Sequence, residues 1–323
     1  ARPARYRALF MSLLSLTVGR FVPRFRTLNE WVQFYIPIIN SRQIKDKTLA
    51  NRRAHIRRIV GALGSRRIGS IRPHEISALI TAVHAVHPVA AKRTLVEARC
   101  MFDEALANGW VAGNPARAVR MPRVKVTRRR LALSEWQLIS DHARHNQPPW
   151  VWRMVLLALV TGQRRSDLVK MRFGDVWAHD DGHEYLHIAQ AKTGMRVAIP
   201  LALRLGSIGV SVGEAIQLCR DYAPLDADGG GYLLRKTTLR PPCPESMSWR
   251  FEQAREAVLP AETVPGQRPP TLHECRSLAA REYLRQGINT MILLGHSRQS
   301  MTDLYHDDRG LDARDGRWRT LEL

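Results

Sequence analysis

Residues 293–310 read LLGHSRQSMTDLYHDDRG, with a Gly-His pair and a tyrosine nine positions after the histidine. A phenol with a pKa near ~10 is a weak nucleophile, so Tyr305 would need its target held in line and that target's charge offset before it attacked. A half-buried packing ring is the other reading. Three more stretches carry residue types able to supply such help. In LVTGQRRSDLVKMR (159–172) a buried helix stops at Thr161-Gly162 and another begins, with Arg164 at the break and Asp167 three positions on, spaced to brace it. An ordinary helix-terminal ion pair fits that spacing as well. In PPTLHECRSLAAREYLRQG (269–287) Thr271 and Glu274 form a capping box, Gly287 ends the helix, and His273 and Arg276 share a face near its N-terminus. Free N–H groups and partial positive charge make that an anion site, most naturally for phosphate, although His-x-x-Arg is a common pattern. Lys192 sits at a Lys-Thr-Gly turn, where by itself it reads as a solvated lysine. No metal is expected: His273-Glu274 begins the H-E of a zinc-binding H-E-x-x-H pattern, but Ser277 stands where the second histidine would be required.

Elements must bring these residues together, and composition bounds what they build. The 323 residues are 45% hydrophobic and 24% charged, enough for two folded domains. The formal charge of +21 points to an anionic partner, with a uniform counter-ion cloud as the bland alternative. Its distribution separates the two. Residues 1–130 hold 26 basic and six acidic side chains, a balance of +20, whereas residues 131–323 hold 24 and 23, a balance of +1. The four cysteines, Cys100, Cys219, Cys243 and Cys275, are scattered, which argues against disulfides and a cysteine-built zinc site. No apolar run reaches the ~18–20 residues of a membrane span. The segment ALFMSLLSLTVGRFV (8–22), although preceded by arginines, lacks a small-residue cleavage site and reads as an amphipathic connector.

Helical spacing runs through TLNEWVQFYIPII from Thr27, with Leu28, Trp31, Tyr35 and Ile38 on one side and Pro37 expected to kink or end the helix. A basic amphipathic helix follows at 47–63, with Leu49, Ile56, Val60 and Leu63 inward, then helices at 73–84 and 90–109. The stretch AGNPARAVRMPRVKVTRRRLAL (112–133) has no apolar period and reads as an extended linker. Beyond it, Ser134 and Gln137 form a capping box that opens a new helix, 150–160 is a buried helix, and 183–201 is a β-hairpin turning at Lys-Thr-Gly. Helices at 211–222 and 244–258 flank a Gly-rich turn at 226–231.

Taken in order, Arg164, Lys192, His273, Arg276, His296 and Tyr305 resemble the active-site series of the tyrosine recombinase (phage integrase) family, its lambda-type members above all. TGQR, SDL, KTG, VAIP, HECRSL, LLGH and YHDDRG all look like motifs of that family in register, and TLNEW and KTLANRRAHIRRI look similar to its core-binding domain. The resemblance covers roughly residues 27–323. It implies a mainly α fold with a small β-sheet, organised as a two-domain DNA clamp: a helical core-type DNA-binding domain (27–115), a basic linker (116–133) and a mixed α/β catalytic domain (134–323) ending in a tail (311–323). Residues 1–26 read as a basic, amphipathic segment, so the family's arm-binding domain is expected to be missing or truncated.

The resemblance further implies site-specific recombination of duplex DNA at attachment sites through a 3′-phosphotyrosyl intermediate. Arg164, Arg276 and His296 would hold the scissile phosphate, Tyr305 would attack, Lys192 would protonate the leaving 5′-oxygen and His273 would assist at Tyr305. Asp167 would buttress Arg164. No cofactor, nucleotide or metal is implied, because the phosphotyrosyl bond conserves the energy of the phosphodiester. A homotetramer on synapsed DNA with exchanged C-terminal tails, a DNA-bending accessory protein, an excisionase, and a cytoplasmic, nucleoid-associated location are implied as well. Arg52, Arg53, Arg57, Lys92, Arg128, Arg129 and Arg130 are the candidate DNA contacts. Integration or excision of a phage or related element is the leading function; an Xer-like dimer-resolving recombinase and a decayed, non-catalytic DNA-binding protein are the rivals. GINTMILLGH, before His296, is shorter than the family pattern suggests.

Overall fold

The computed structural model describes residues 26–222, 231–236, 240–259, 267–307, 309 and 311. The expected N-terminal segment, most of the Gly-rich turn at 226–231 and most of the tail at 311–323 lie outside the described residues. The chain divides into two units, 1–126 and 127–323, with the boundary inside the stretch expected to be a linker. Only part of that stretch is extended and open. Ala116 and Val119 are buried in the first unit's core, and Leu131 and Ala132 are buried in the second unit.

In the first unit the described helices are α1 (Leu28–Ser41), α2 (Asp46–Leu63), α3 (Pro73–Val86) and α4 (Pro88–Ala107). Thr27 and Glu30 make a reciprocal capping box at the start of α1. The expected break at Pro37 does not occur. The helix runs on to Ser41, because Pro37 faces solvent while Tyr35 and Ile39 on either side are buried; the core outweighs the one hydrogen bond that proline forfeits. In α2 the inward residues are Ile56, Ile59 and Leu63, with Leu49 and Val60 at the margin. Leu28, Trp31, Tyr35, Ile76, Leu95, Met101 and Phe102 complete one apolar core.

The second unit is built on α6 (Pro149–Thr161), ten of whose residues are buried, which is what its unbroken apolar sequence requires. Around it pack α5 (Leu133–Asn146), α8 (Val212–Arg220), α9 (Pro244–Val258) and α10 (Glu274–Arg285). The start of α5 differs from the expected Ser134–Gln137 box. Its cap is Ala132, whose N–H is accepted by the Glu135 carboxylate at 3.1 Å, while Ser134 and Gln137 are exposed.

The expected hairpin gains a third strand. β1 (Val176–Ala178), β2 (Glu184–Ala189) and β3 (Arg196–Pro200) form an antiparallel sheet in that order, with Val176 opposite Leu186 and Leu186 opposite Ile199. Leu186, Ile188, Val197 and Ile199 face the core, which leaves Tyr185 and His187 on the open side. A two-stranded ribbon, β4 (Arg204–Leu205) with β5 (Val210–Ser211), leads into α8. The short helices α7 (Arg165–Leu168), α11 (Thr290–Leu294) and α12 (Gln299–His306) carry or adjoin the residues that follow. Among the described residues no helix is long and apolar enough to cross a membrane.

Candidate active site

Arg164 is placed by the way α6 ends. Gly162 adopts a left-handed conformation (φ +62°), and an added Cβ there would meet Leu294 and Ala279 at 3.3 and 3.4 Å, so the chain turns sharply into α7 with Arg164 as its cap. The half-buried Arg164 donates through Nη1 to Oε1 of Gln190 at 2.8 Å. Gln190, buried at the foot of the hairpin turn, donates its amide nitrogen to Gln163 Oε1 and to the Leu294 carbonyl, both at 2.9 Å, and its oxygen also accepts from Thr193 at 3.0 Å. Every hydrogen-bonding position of that amide is filled, which fixes its orientation. Gln190 and Gln163 were missed in the sequence, where a glutamine beside a turn has no distinguishing spacing.

The expected side-chain brace from Asp167 to Arg164 is not what holds the arginine. Buried Asp167 accepts instead from the Ala191 N–H at 2.9 Å, tying α7 to the start of the hairpin turn. Asp167 supports the site through the loop that carries Lys192.

The second arginine rises from the start of α10. The expected Thr271–Glu274 capping box is replaced by a backbone turn, Glu274 N–H to Thr271 carbonyl at 2.7 Å, because the Glu274 carboxylate is drawn to Arg130. Arg276 is 1% exposed and donates to the carbonyls of Gly162 (2.8 Å) and Leu294 (2.5 Å) and to His296 Nε2 (3.0 Å), while its Nε has no partner. Burial, and next the charge of Arg164, lower its pKa to about 10. Among the described residues neither Arg164 nor Arg276 forms an ion pair. Their partners are neutral dipoles, so their charge stays available to an incoming anion.

Left-handed Gly295 (φ +60°) lets the chain pass close to Gln190, whose nitrogen would lie 2.8 Å from an added Cβ, and delivers His296 into the cleft. An arginine only donates, so His296 Nε2 accepts and Nδ1 carries the proton, given to Thr302 Oγ1 at 2.9 Å. Desolvation and then Arg276 and Arg164 hold this imidazole neutral, with a pKa pushed down to about 4. The donor toward phosphate expected of His296 is therefore absent while Arg276 occupies Nε2. His273 is also pushed down to about 4, by desolvation first and then by Arg276, Arg164, Lys192 and Arg128, although the residue is exposed at the surface. Tyr305, half-buried on α12, has its hydroxyl 3.3 Å from His273 Nε2, and the Arg276 guanidinium lies 5.5 Å from its ring centre.

Five of the six expected residues thus share contacts directly or through Gln190. Lys192 is exposed at the hairpin turn and reaches the group through its effect on His273. The candidate DNA contacts divide. Arg53, Arg57 and Lys92 are exposed, Arg53 with a hydrogen bond to Asn40. Arg52 is instead committed to Glu97 (2.9 Å) and to the Tyr35 hydroxyl (2.6 Å), because Glu97, 45 positions along the chain, brings a buried carboxylate to it. Arg129 and Arg130 are buried in ion pairs with Glu135 and with Glu274 and Asp307. The third linker arginine, Arg128, is one of the charges that lower the His273 pKa. Among the described residues no group of three or more His, Cys, Asp or Glu side chains could hold a metal ion.

A tyrosine beside an imidazole, facing two arginines that no carboxylate pairs directly, is an arrangement suited to phosphoryl transfer. Residues 129–310 match the model of the phage integrase family, and the chain belongs to that family, the tyrosine recombinases. It is 35% identical to the integrase of Escherichia phage HK022 and 34% identical to that of Escherichia phage lambda, over 303 residues that cover 92% of this chain and 79% of each relative. Its structure is similar to a lambda integrase fragment (75–356) solved as a dimer bound to a COC′ core site, with a TM-score of 0.80 at 33% identity over 92% of this chain and 99% of that one. It is similar also to the lambda integrase tetramer bound to a Holliday junction, with a TM-score of 0.80 at 30% identity, covering 99% and 90% of the two chains.

Proposed function

We propose that the chain integrates or excises a phage or related element by cutting and rejoining duplex DNA through Tyr305. The observation that carries this reading is the Tyr305 hydroxyl 3.3 Å from His273, beside an Arg276 bonded only to neutral partners. The scissile phosphate sits against Arg164 and Arg276. Its negative charge offsets the field that keeps both histidines neutral, so both become easier to protonate on binding. His296, once protonated at Nε2, donates to a non-bridging oxygen. His273 takes the Tyr305 proton as the phenolate oxygen attacks phosphorus. The P–O5′ bond breaks, Lys192 protonates the departing 5′-oxygen, and a 3′-phosphotyrosyl bond remains. Attack by a second strand's 5′-hydroxyl reverses these steps, without nucleotide or metal. Fixed donors aimed at charge that grows in the transition state give up roughly 3–4 kcal/mol each when removed.

The exposed Arg53, Arg57 and Lys92 of the helical unit supply contacts to the DNA backbone, which set position more than sequence. Assembly is as a tetramer on two synapsed sites with exchanged tails, helped by a DNA-bending protein and, for excision, an excisionase. Dimer resolution would use the same chemistry, but the similarity to phage integrases favours integration and excision. A decayed binding protein is disfavoured by the presence of all six residues.

The test is a nicked suicide substrate carrying the element's own junction. An SDS-resistant protein–DNA adduct forms with the wild type and is absent with Tyr305→Phe. An adduct that persists in that variant places the nucleophile elsewhere, and no wild-type adduct on the correct site leaves binding alone.

A further inference from the structure

The nucleophile helix α12 has little to hold it by burial. Thr302 is its one buried residue, while Leu304 is 65% and Met301 38% exposed. Polar ties therefore decide where Tyr305 stands. The largest comes from Arg130, far away in sequence and itself 2% exposed. Its Nε donates to the Asp307 carboxylate (2.9 Å) and carbonyl (3.2 Å), and its Nη2 donates to the Leu304 carbonyl. Its Nη1 donates to Glu274 (2.9 Å) and Ser277 (2.7 Å), and its backbone N–H to the Arg309 carbonyl (3.0 Å). Leu304 and Asp307 bracket Tyr305. Glu274 and Ser277 adjoin His273 and Arg276. One planar guanidinium thus joins the last turn of the nucleophile helix to the first turn of the helix that carries its base. A buried ion pair repays only part of its desolvation cost, so the return on this one is placement.

We propose that Arg130 is the positioning residue of the nucleophile: it holds Tyr305 within reach of His273, and it does not bind DNA. The proposal rests on Tyr305 as nucleophile for its consequence in rate, though not for its consequence in geometry. It is therefore tested by two readouts on the full chain, with 3-fluorotyrosine at position 305 observed by fluorine NMR without DNA, and single-turnover cleavage of the suicide substrate. The variants are Arg130→Lys, which keeps a cation beside Glu274 but cannot reach both helices in one plane, and Arg130→Gln combined with Glu274→Gln, which leaves no buried carboxylate unpaired.

Wild type gives one resonance displaced from free fluorotyrosine. In both variants it moves toward the free position, and cleavage falls about 10²-fold, the cost of a misplacement near 1 Å, while core-site affinity is retained. Should the double variant not fold, Arg130→Lys decides alone. An unmoved resonance overturns the proposal, even if cleavage falls, since the loss then lies in the phosphate grip. An affinity loss matching the cleavage loss returns Arg130 to the DNA contacts. Failure of wild type to form a Tyr305-dependent adduct sinks the nucleophile reading instead, and leaves the resonance to judge Arg130.

Discussion

Each unit of this protein sets an arginine over a tyrosine ring. In the first unit Arg52 lies 5.8 Å from the centre of Tyr35; in the second Arg276 lies 5.5 Å from the centre of Tyr305. The wiring behind the two pairs is opposite. Arg52 meets the buried carboxylate of Glu97, which also takes the Tyr35 hydroxyl hydrogen at 2.9 Å, and desolvation with the Glu97 charge drives the Tyr35 pKa far up. That phenol is chemically silent. Arg276 meets two backbone carbonyls and a neutral histidine, and Tyr305 faces the His273 imidazole. A buried arginine cancelled by a carboxylate is a rivet, whereas one held by uncharged dipoles keeps its charge for a ligand.

Breaking the first cluster should cost the most. Arg52→Ala leaves Glu97 buried without its cation, and denaturant unfolding should show a loss of roughly 3–5 kcal/mol in the helical unit. Removing both charges, Arg52→Met with Glu97→Gln, should recover most of it. Next comes a change that rewires the second cluster like the first. Gln190→Glu places a carboxylate on Arg164, and single-turnover cleavage per folded molecule should fall about 10²-fold, close to the loss of one phosphate donor; the melting temperature should fall as well, because a carboxylate oxygen replaces the N–H groups given to Gln163 and Leu294.

Smaller again is the contrast between spent and free arginines. Arg53→Ala and Arg57→Ala should each lower the slope of log affinity against log salt by about 1. The smallest effect is on pH. Both His273 and His296 are held near 4 in the free fold, below the ~6.5 of an unfolded histidine. The unfolded chain therefore binds more protons between those values, so stability is full above about 6.5 and declines as pH falls toward 4. Because phosphate raises both, DNA binding near pH 5.5 should take up protons, seen by calorimetry in buffers of different ionisation enthalpy. His296→Gln should reduce that uptake.

Much of the proposed catalytic set was legible because each member sits at a local punctuation mark: Arg164 after a helix-ending glycine, Lys192 in a tight turn, His273 and Arg276 at a helix start, His296 after Gly295. Such signals are short-range and survive in one dimension. What escaped is held by distance. Gln190 finds Leu294 across 104 positions and Arg130 finds Leu304 across 174. Nothing beside Arg52, Arg129 or Arg130 in the chain distinguishes a buried ion pair from a DNA contact, so a cluster of positive charge read as one surface when three of its members point inward. Pro37 failed as a breaker for a related reason, since the flanking Tyr35 and Ile39 are anchored by residues outside the local window.

The most direct test puts the two arginines side by side on the suicide substrate. Arg276→Gln and Arg52→Gln are assayed for cleavage rate per folded molecule under saturating DNA. The account predicts a loss of about 10²–10³-fold for Arg276→Gln, with the fold intact, and a near wild-type rate for the folded fraction of Arg52→Gln. Equal cleavage by the two variants would contradict it.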